Sequence, residues 1–165
     1  MTTETLSPVL PSDTEEATRR LLEKASEWGL MLATAESCTG GMLASLLTDV
    51  QGVAHAFDRG FVTYTEEAKN EMLGVPLDLI REKSAVSKEV AVAMAEGALE
   101  NSRANIALSV TGYADAGPEP GLVHFACARA GRATQHREEH FGPGGRGATR
   151  IACMAVAIEM MTEML

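Results

Sequence analysis

The sequence predicts an α/β fold, a three-layer α/β/α sandwich on a mixed central sheet, and three patterns carry that expectation. Short apolar runs of strand length alternate with longer segments of helical period. Two of the strand-like runs end directly in polar turns that open helices, at residues 36–41 and 64–65. Toward the C-terminus two further runs flank a glycine turn, which adds a hairpin to an otherwise parallel arrangement.

The elements follow in chain order. Residues 1–11, polar with Pro8 and Pro11, read as a disordered lead-in to one domain over 12–165. Ser12 and Glu15 have capping-box spacing, and Ala17, Leu21, Leu22, Ala25 and Trp28 recur at helical period until Gly29 closes the helix. The apolar 30–35 run suits a buried strand, and the turn after it opens a helix at 42–47. Gly52 leads through Phe57-Asp58-Arg59-Gly60 to a second strand at 61–64. Thr65 caps a helix that Gly74 stops, and Pro76 opens a short helix at its favoured first-turn position. Ser87 caps a long amphipathic helix ending near Asn101. The 106–110 run is a central strand, and 111–121, rich in Gly and Pro, is a loop. Segments 122–129 and 134–141 form the hairpin around Ala130-Gly131-Arg132, its polar second strand an edge. A glycine loop at 142–147 precedes a closing helix at 148–165, rich in Ala and Met.

Composition narrows the function. With 165 residues and 45% hydrophobic content the chain can bury a real core, though aromatics supply only 4%. Twenty-three acidic against 14 basic side chains give a formal charge of −9, which argues against nucleic acid and anionic membrane as partners. No apolar run approaches the roughly 18–20 residues of a spanning helix, and the N-terminus lacks the charged and apolar regions of a signal peptide. Three cysteines, Cys38, Cys127 and Cys153, have no metal-ligand spacing and read as reduced thiols of a cytoplasmic protein.

Four constellations can carry chemistry. In Ala35-Glu36-Ser37-Cys38-Thr39-Gly40-Gly41 a serine at a strand end sits beside the N–H groups of a Gly-Gly turn, able to hold an oxyanion or a phosphate. The plainer reading is that Ser37 or Thr39 caps the helix. Adjacent side chains diverge, so Ser37 is expected to face the pocket and Cys38 to pack. Second, Tyr64-Thr65-Glu66-Glu67-Ala68-Lys69 places a tyrosine at a strand end and a lysine on the following helix. A lysine made neutral by burial is able to deprotonate a serine, whereas a solvated Lys69 would simply pair with Glu66 or Glu67. Third, Thr111-Gly112-Tyr113-Ala114-Asp115-Ala116-Gly117-Pro118 follows a central strand, where α/β folds bind ligands. Fourth, Arg146 and Arg150 stand four apart at a helix start, suited to a phosphate or to surface salt bridges. His124, His136 and His140 fall on the hairpin, where a solvated strand face is the expected setting, and the methionines of the last helix are expected in core or dimer packing.

The first two motifs resemble the signature of the CinA C-terminal-domain family, as do Phe57-Asp58-Arg59-Gly60-Phe61-Val62-Thr63-Tyr64, Leu73-Gly74-Val75, Ala85-Val86-Ser87, Thr111-Gly112 and the Arg146/Arg150 pair. The resemblance implies an oligomeric nicotinamide-nucleotide amidase, which hydrolyses nicotinamide mononucleotide to nicotinate mononucleotide and ammonia with neither metal nor cofactor. It implies catalytic roles for Ser37, Tyr64 and Lys69, a backbone oxyanion hole at Thr39, Gly40 and Gly41, and substrate contacts from Thr111, Gly112, Arg146 and Arg150. The chain departs from the family pattern where Tyr113 replaces isoleucine, Asp115-Ala116 interrupts a glycine-rich loop, Glu66 replaces asparagine and Gly145 replaces aspartate. The alternative expectation is a nucleotide-binding or regulatory module that uses the same pocket without turnover.

Overall fold

A computed structural model of the chain describes residues 10–165. Helix α1 (Ser12–Glu27) leads into β1 (Leu32–Glu36), α2 (Met42–Thr48) and, after a 3-10 turn at Ala54–Ala56, β2 (Phe57–Val62). Three helices follow, α3 (Glu66–Leu73), α4 (Leu77–Lys83) and α5 (Lys88–Glu100). Then come β3 (Ile106–Gly112), β4 (Leu122–Arg129), β5 (Gln135–His140) and α6 (Arg146–Glu163). The sheet runs β2-β1-β3-β4-β5, with β2, β1 and β3 parallel and β4 and β5 antiparallel, so the expected mixed α/β sandwich is present.

Strand alternation sorts the core into two unequal halves. Leu32, Ile106, Leu108, Val110, Val123, Phe125 and Cys127 face α1, α2 and α6 and make the larger apolar cluster. The opposite face presents Ala33, Ala35, Ala107, Ala126 and Ala128. These short side chains let α5 lie close to the sheet, near enough for the Ser109 hydroxyl to donate to the Ala91 carbonyl at 2.6 Å. At Gly97 a Cβ would stand 2.0 Å from the Leu73 carbonyl oxygen, so glycine alone permits α5 to meet the end of α3. The low aromatic content thus reflects one face packed by alanine rather than a poor core.

Several boundaries differ from expectation for identifiable reasons. Of the lead-in expected over 1–11, residues 1–9 lie outside the described residues; Leu10 is buried against the larger cluster. Helix α1 is capped by Pro11, whose carbonyl accepts from the Thr14 and Glu15 N–H groups, so Ser12 sits inside the first turn and makes no side-chain cap. Strand β2 starts at Phe57 and ends at Val62, before Tyr64. Its Asp58 carboxylate is satisfied laterally by Arg59 and Arg103, and Gly60 fits where a Cβ would fall 2.8 Å from Thr34 Oγ1. Polar residues that resemble a loop therefore pair as a strand. Thr111 and Gly112 complete β3 instead of opening the loop, which reduces it to 113–121. Pro76 is the N-cap of α4 rather than its first residue, and α6 starts two residues earlier than expected. Thr65 and Ser87 cap α3 and α5 as the sequence implies, accepting from the Ala68 and Val90 N–H groups. Among the described residues, no helix is long and apolar enough to cross a membrane.

Candidate active site

Strand order reverses at β1: one connection leaves it for β2 on one side, and the chain returns to β3 on the other. Carboxyl ends of strands at such a point border a crevice. Here the crevice has a volume of about 340 Å³ and is lined by Ser37, Cys38, Tyr64, Lys69, Ala85, Val86, residues 111–117 and Arg146. Parallel pairing continues past the strands, where the Thr63 N–H donates to the Glu36 carbonyl at 2.8 Å, so the segment leading to Lys69 runs beside the Ser37 turn.

Ser37 and Lys69 meet there. Lys69 is 2% exposed and Ser37 8%, and Nζ lies 3.0 Å from Ser37 Oγ and 3.0 Å from the Thr63 carbonyl oxygen. Among the described residues no carboxylate hydrogen-bonds Nζ, and Glu66 and Glu67 are exposed rather than paired with it. Burial pushes the lysine below its ordinary 10.5, against the smaller opposing effects of Cys38 and Glu66. A neutral amine in this position accepts the Ser37 proton through its lone pair while an N–H donates to Thr63. The Thr63 hydroxyl is the one buried side-chain polar atom among the described residues without a hydrogen-bond partner.

Glu36, and neither Ser37 nor Thr39 of the plainer reading, caps α2. Gly40 and Gly41, both at positive φ, fold the chain back so that the start of α2 faces the end of β1. The fully buried Glu36 carboxylate then accepts from the Leu43 and Ala44 N–H groups at 2.8 and 2.9 Å and from the Thr39 hydroxyl at 2.7 Å. It occupies the positive end of α2. Ser37 is thereby released from capping, and its hydroxyl is left to Lys69. Of the three backbone donors expected for an oxyanion, Gly40 N–H is engaged with the Ser37 carbonyl at 3.1 Å, whereas Thr39 and Gly41 N–H have no acceptor among the described residues. Nothing local in the sequence distinguishes a glutamate that caps a helix seven residues onward.

Cys38 packs away from the lysine, into the larger core cluster with Cys153. The neighbouring thiol holds Cys38 below its ordinary value, while Cys38 and burial push Cys153 up, so Cys153 stays protonated.

Tyr64 lines the crevice but is 61% exposed. Its hydroxyl lies toward Arg146, which it and Asp115 hold more firmly protonated; the lysine is positioned by the Thr63 main chain instead. Arg146 reaches the crevice with its guanidinium in a two-point contact with Asp115, at 2.6 and 3.2 Å. Arg150 does not reach it. Its Nε donates to the Cys38 carbonyl at 2.8 Å and its guanidinium covers Gly40, so this arginine props the Ser37 turn from behind. Thr111 donates to the Ala85 carbonyl at 2.7 Å, which pins the Ala85–Val86 wall beside the crevice. That wall follows Ser84, the one non-glycine residue at positive φ (78°) among the described residues. Tyr113 packs on Gly117, where a Cβ would be 2.5 Å from the ring, and its hydroxyl is 3.4 Å from Ser84 Oγ. The tyrosine thus closes the altered loop against the strained turn.

Of the hairpin histidines, His140 is exposed as expected, whereas His124 and His136 do not lie on a solvated face. His124 is 7% exposed and stacks on His136 with ring centroids 5.2 Å apart. Burial lowers the pKa of both imidazoles.

A buried serine–lysine pair at the switch point of a mixed α/β sheet defines the class: an α/β fold with a hydroxyl and a lysine amine in contact at the carboxyl ends of its strands. The chain belongs to the CinA family, whose C-terminal-domain model matches residues 14–165. It is 48% identical over 124 residues to a CinA-like protein of Akkermansia muciniphila, covering 69% of this chain and 30% of that one. It is 44% identical over 140 residues to the nicotinamide-nucleotide amidohydrolase PncC of Escherichia coli, covering 82% of this chain and 84% of the relative. The crystal structure of a competence/damage-inducible protein from Agrobacterium tumefaciens superposes with a TM-score of 0.90 at 43% identity, over 94% of this chain and 97% of that one. The chain spans less than a third of the length of the Akkermansia relative and most of the length of PncC.

Proposed function

We propose that the chain hydrolyses the carboxamide of nicotinamide mononucleotide, with Ser37 as nucleophile and Lys69 as general base. The observation that carries this reading is the 3.0 Å contact between Ser37 Oγ and a buried lysine amine that hydrogen-bonds no carboxylate among the described residues. The substrate class comes from the PncC relative. As Oγ attacks the carbonyl carbon, its proton passes to Lys69 Nζ and the carbonyl oxygen takes the negative charge, within reach of the Thr39 and Gly41 N–H groups. Collapse of that intermediate breaks the C–N bond, and Lys69 returns the proton to the departing amine, which leaves as ammonia. Water then attacks the acyl-enzyme with the same lysine as base, releasing nicotinate mononucleotide and restoring the Ser37 hydroxyl. Tyr64 borders the reacting groups and orients Arg146, Thr111 and Gly112 form the opposite wall, and Arg146 is the cation offered to the 5′-phosphate.

Incubation with nicotinamide mononucleotide, with ammonia and nicotinate mononucleotide measured together, tests the reading. Equal amounts of both products are expected, and binding without product would replace the amidase by a nucleotide-binding module.

Asp115 bears on the phosphate. It neutralises the one arginine in the crevice, so an incoming phosphate competes with a carboxylate for the same guanidinium. Both partners are about two-fifths exposed, which limits the effect to roughly 0.5–1 kcal/mol. Asp115→Asn is expected to lower KM for the mononucleotide by about two- to five-fold with kcat unchanged. KM for the nucleoside lacking the phosphate should not move, and steady-state kinetics on the two substrates distinguish the cases.

A further inference from the structure

We propose that His124, His136 and Glu138 form a binding site for a divalent transition metal of the zinc class, on the β4–β5 hairpin and separate from the Ser37 crevice. The three residues share one face of the sheet: His124 is directly opposite Glu138 in the β4–β5 register, and His136 is two residues along the same strand as Glu138. One ligand atom from each lies within 4.8 Å of the others. His124 Nδ1 is 2.9 Å from His136 Nε2 and 3.9 Å from Glu138 Oε2.

The geometry between the imidazoles is the main argument. Two nitrogens this close must share one proton, one ring donating and the other accepting. A metal ion takes the place of that proton, which moves to the other nitrogen of the donating ring as its tautomer changes; each neutral imidazole then offers one lone pair, with no net proton released. Zinc–nitrogen bonds of about 2.0–2.1 Å at a tetrahedral angle place the two nitrogens about 3.3 Å apart. Opening the present pair by a few tenths of an ångström suffices, and a small rotation of the exposed Glu138 side chain brings its oxygen into range. Two histidines and one carboxylate leave a fourth position for water, a donor set suited to zinc.

The surroundings support a built site. His124 is held at the end of a strand face otherwise occupied by Ala126 and Ala128, and it is buried, so its ring cannot swing freely into solvent. The second oxygen of Glu138 lies 2.8 Å from His140 Nε2, whose Nδ1 lies 2.6 Å from Glu119. This chain of outer contacts orients a carboxylate ligand, as the outer partners of metal ligands do. Bound metal would fasten the polar edge strand β5 to β4, and through the Thr111–His124 register pair it would stiffen the strand that carries the crevice wall.

Zinc chloride titrated into the chelator-stripped full chain by calorimetry, with thermal unfolding in parallel, tests the site and does not depend on the amidase reading. One equivalent is expected to bind and to raise the melting temperature. His136→Gln, at a half-buried position, and Glu138→Gln, at an exposed one, should each weaken binding by at least about ten-fold and reduce the thermal shift. His55→Gln, a surface histidine outside the cluster, should leave both unchanged. Zinc binding of equal strength in the wild type and His136→Gln, or no binding at all, overturns the proposal.

Discussion

Ser37→Ala is expected to reduce ammonia release from nicotinamide mononucleotide by at least about 10³-fold, or roughly 4 kcal/mol of transition-state stabilisation. The variant loses one hydroxyl that is 3.0 Å from Lys69 and takes no part in the helix cap, which Glu36 supplies. Its melting temperature should therefore stay close to that of the wild type, and its affinity for the mononucleotide should persist. Wild-type turnover by this variant would remove the covalent mechanism altogether. A collapse of stability would instead identify Ser37 as structural.

Lys69→Met separates catalysis from folding more sharply. Methionine has similar length and no charge, so it removes the base while filling the same buried space, and kcat is expected to fall by about 10³-fold or more. Its effect on stability has the opposite sign. Burial holds the Lys69 pKa below 10.5, so the folded chain resists a proton that the unfolded chain accepts. The penalty is full below the folded-state pKa, shrinks as pH rises through it and is gone above 10.5. The variant should consequently melt no lower than the wild type at neutral pH, and any advantage should narrow as pH is raised. Thermal unfolding at neutral and alkaline pH checks this. The same depression places the rising limb of the wild-type pH–rate profile below the pH at which a solvated lysine deprotonates. A profile flat between pH 6 and 9 combined with a fully active Lys69→Met variant would assign the base to another group.

The two experiments also explain which parts of the site were legible along the chain. A serine at a strand end followed by Gly40-Gly41 is a local pattern, because the turn needs two positive-φ residues within a few positions of the nucleophile. Thr65 and Ser87 declare their helices in the same way, through a hydroxyl three residues from the N–H it accepts. Glu36 was not legible as a cap, since its role depends on the chain folding back seven residues later. Arg146 and Arg150 look equivalent in sequence, four apart on one helix. Their fates differ because one turn of α6 separates a side chain that reaches Asp115 over the crevice from one that reaches the Cys38 carbonyl behind it. The histidines were misread for a related reason. A polar strand reads as solvated, but β4 lies inside the sheet and α5 covers its face, so His124 is buried whatever its neighbours in sequence.

The amino-acid sequence alone determined the α/β layering, most of the helix starts, the Ser37 turn and the Lys69 helix, because each follows from hydrophobic period, a cap or a glycine within a few residues. Tertiary structure alone decided that the turn and the helix meet, through parallel pairing of β1 with β2 and the Thr63–Glu36 bond beyond it. It also decided that Lys69 is buried, that Asp115 answers Arg146 and that nitrogens of His124 and His136 lie 2.9 Å apart. Charge state, burial and partner choice are properties of distance in space, and spacing along the chain does not encode them.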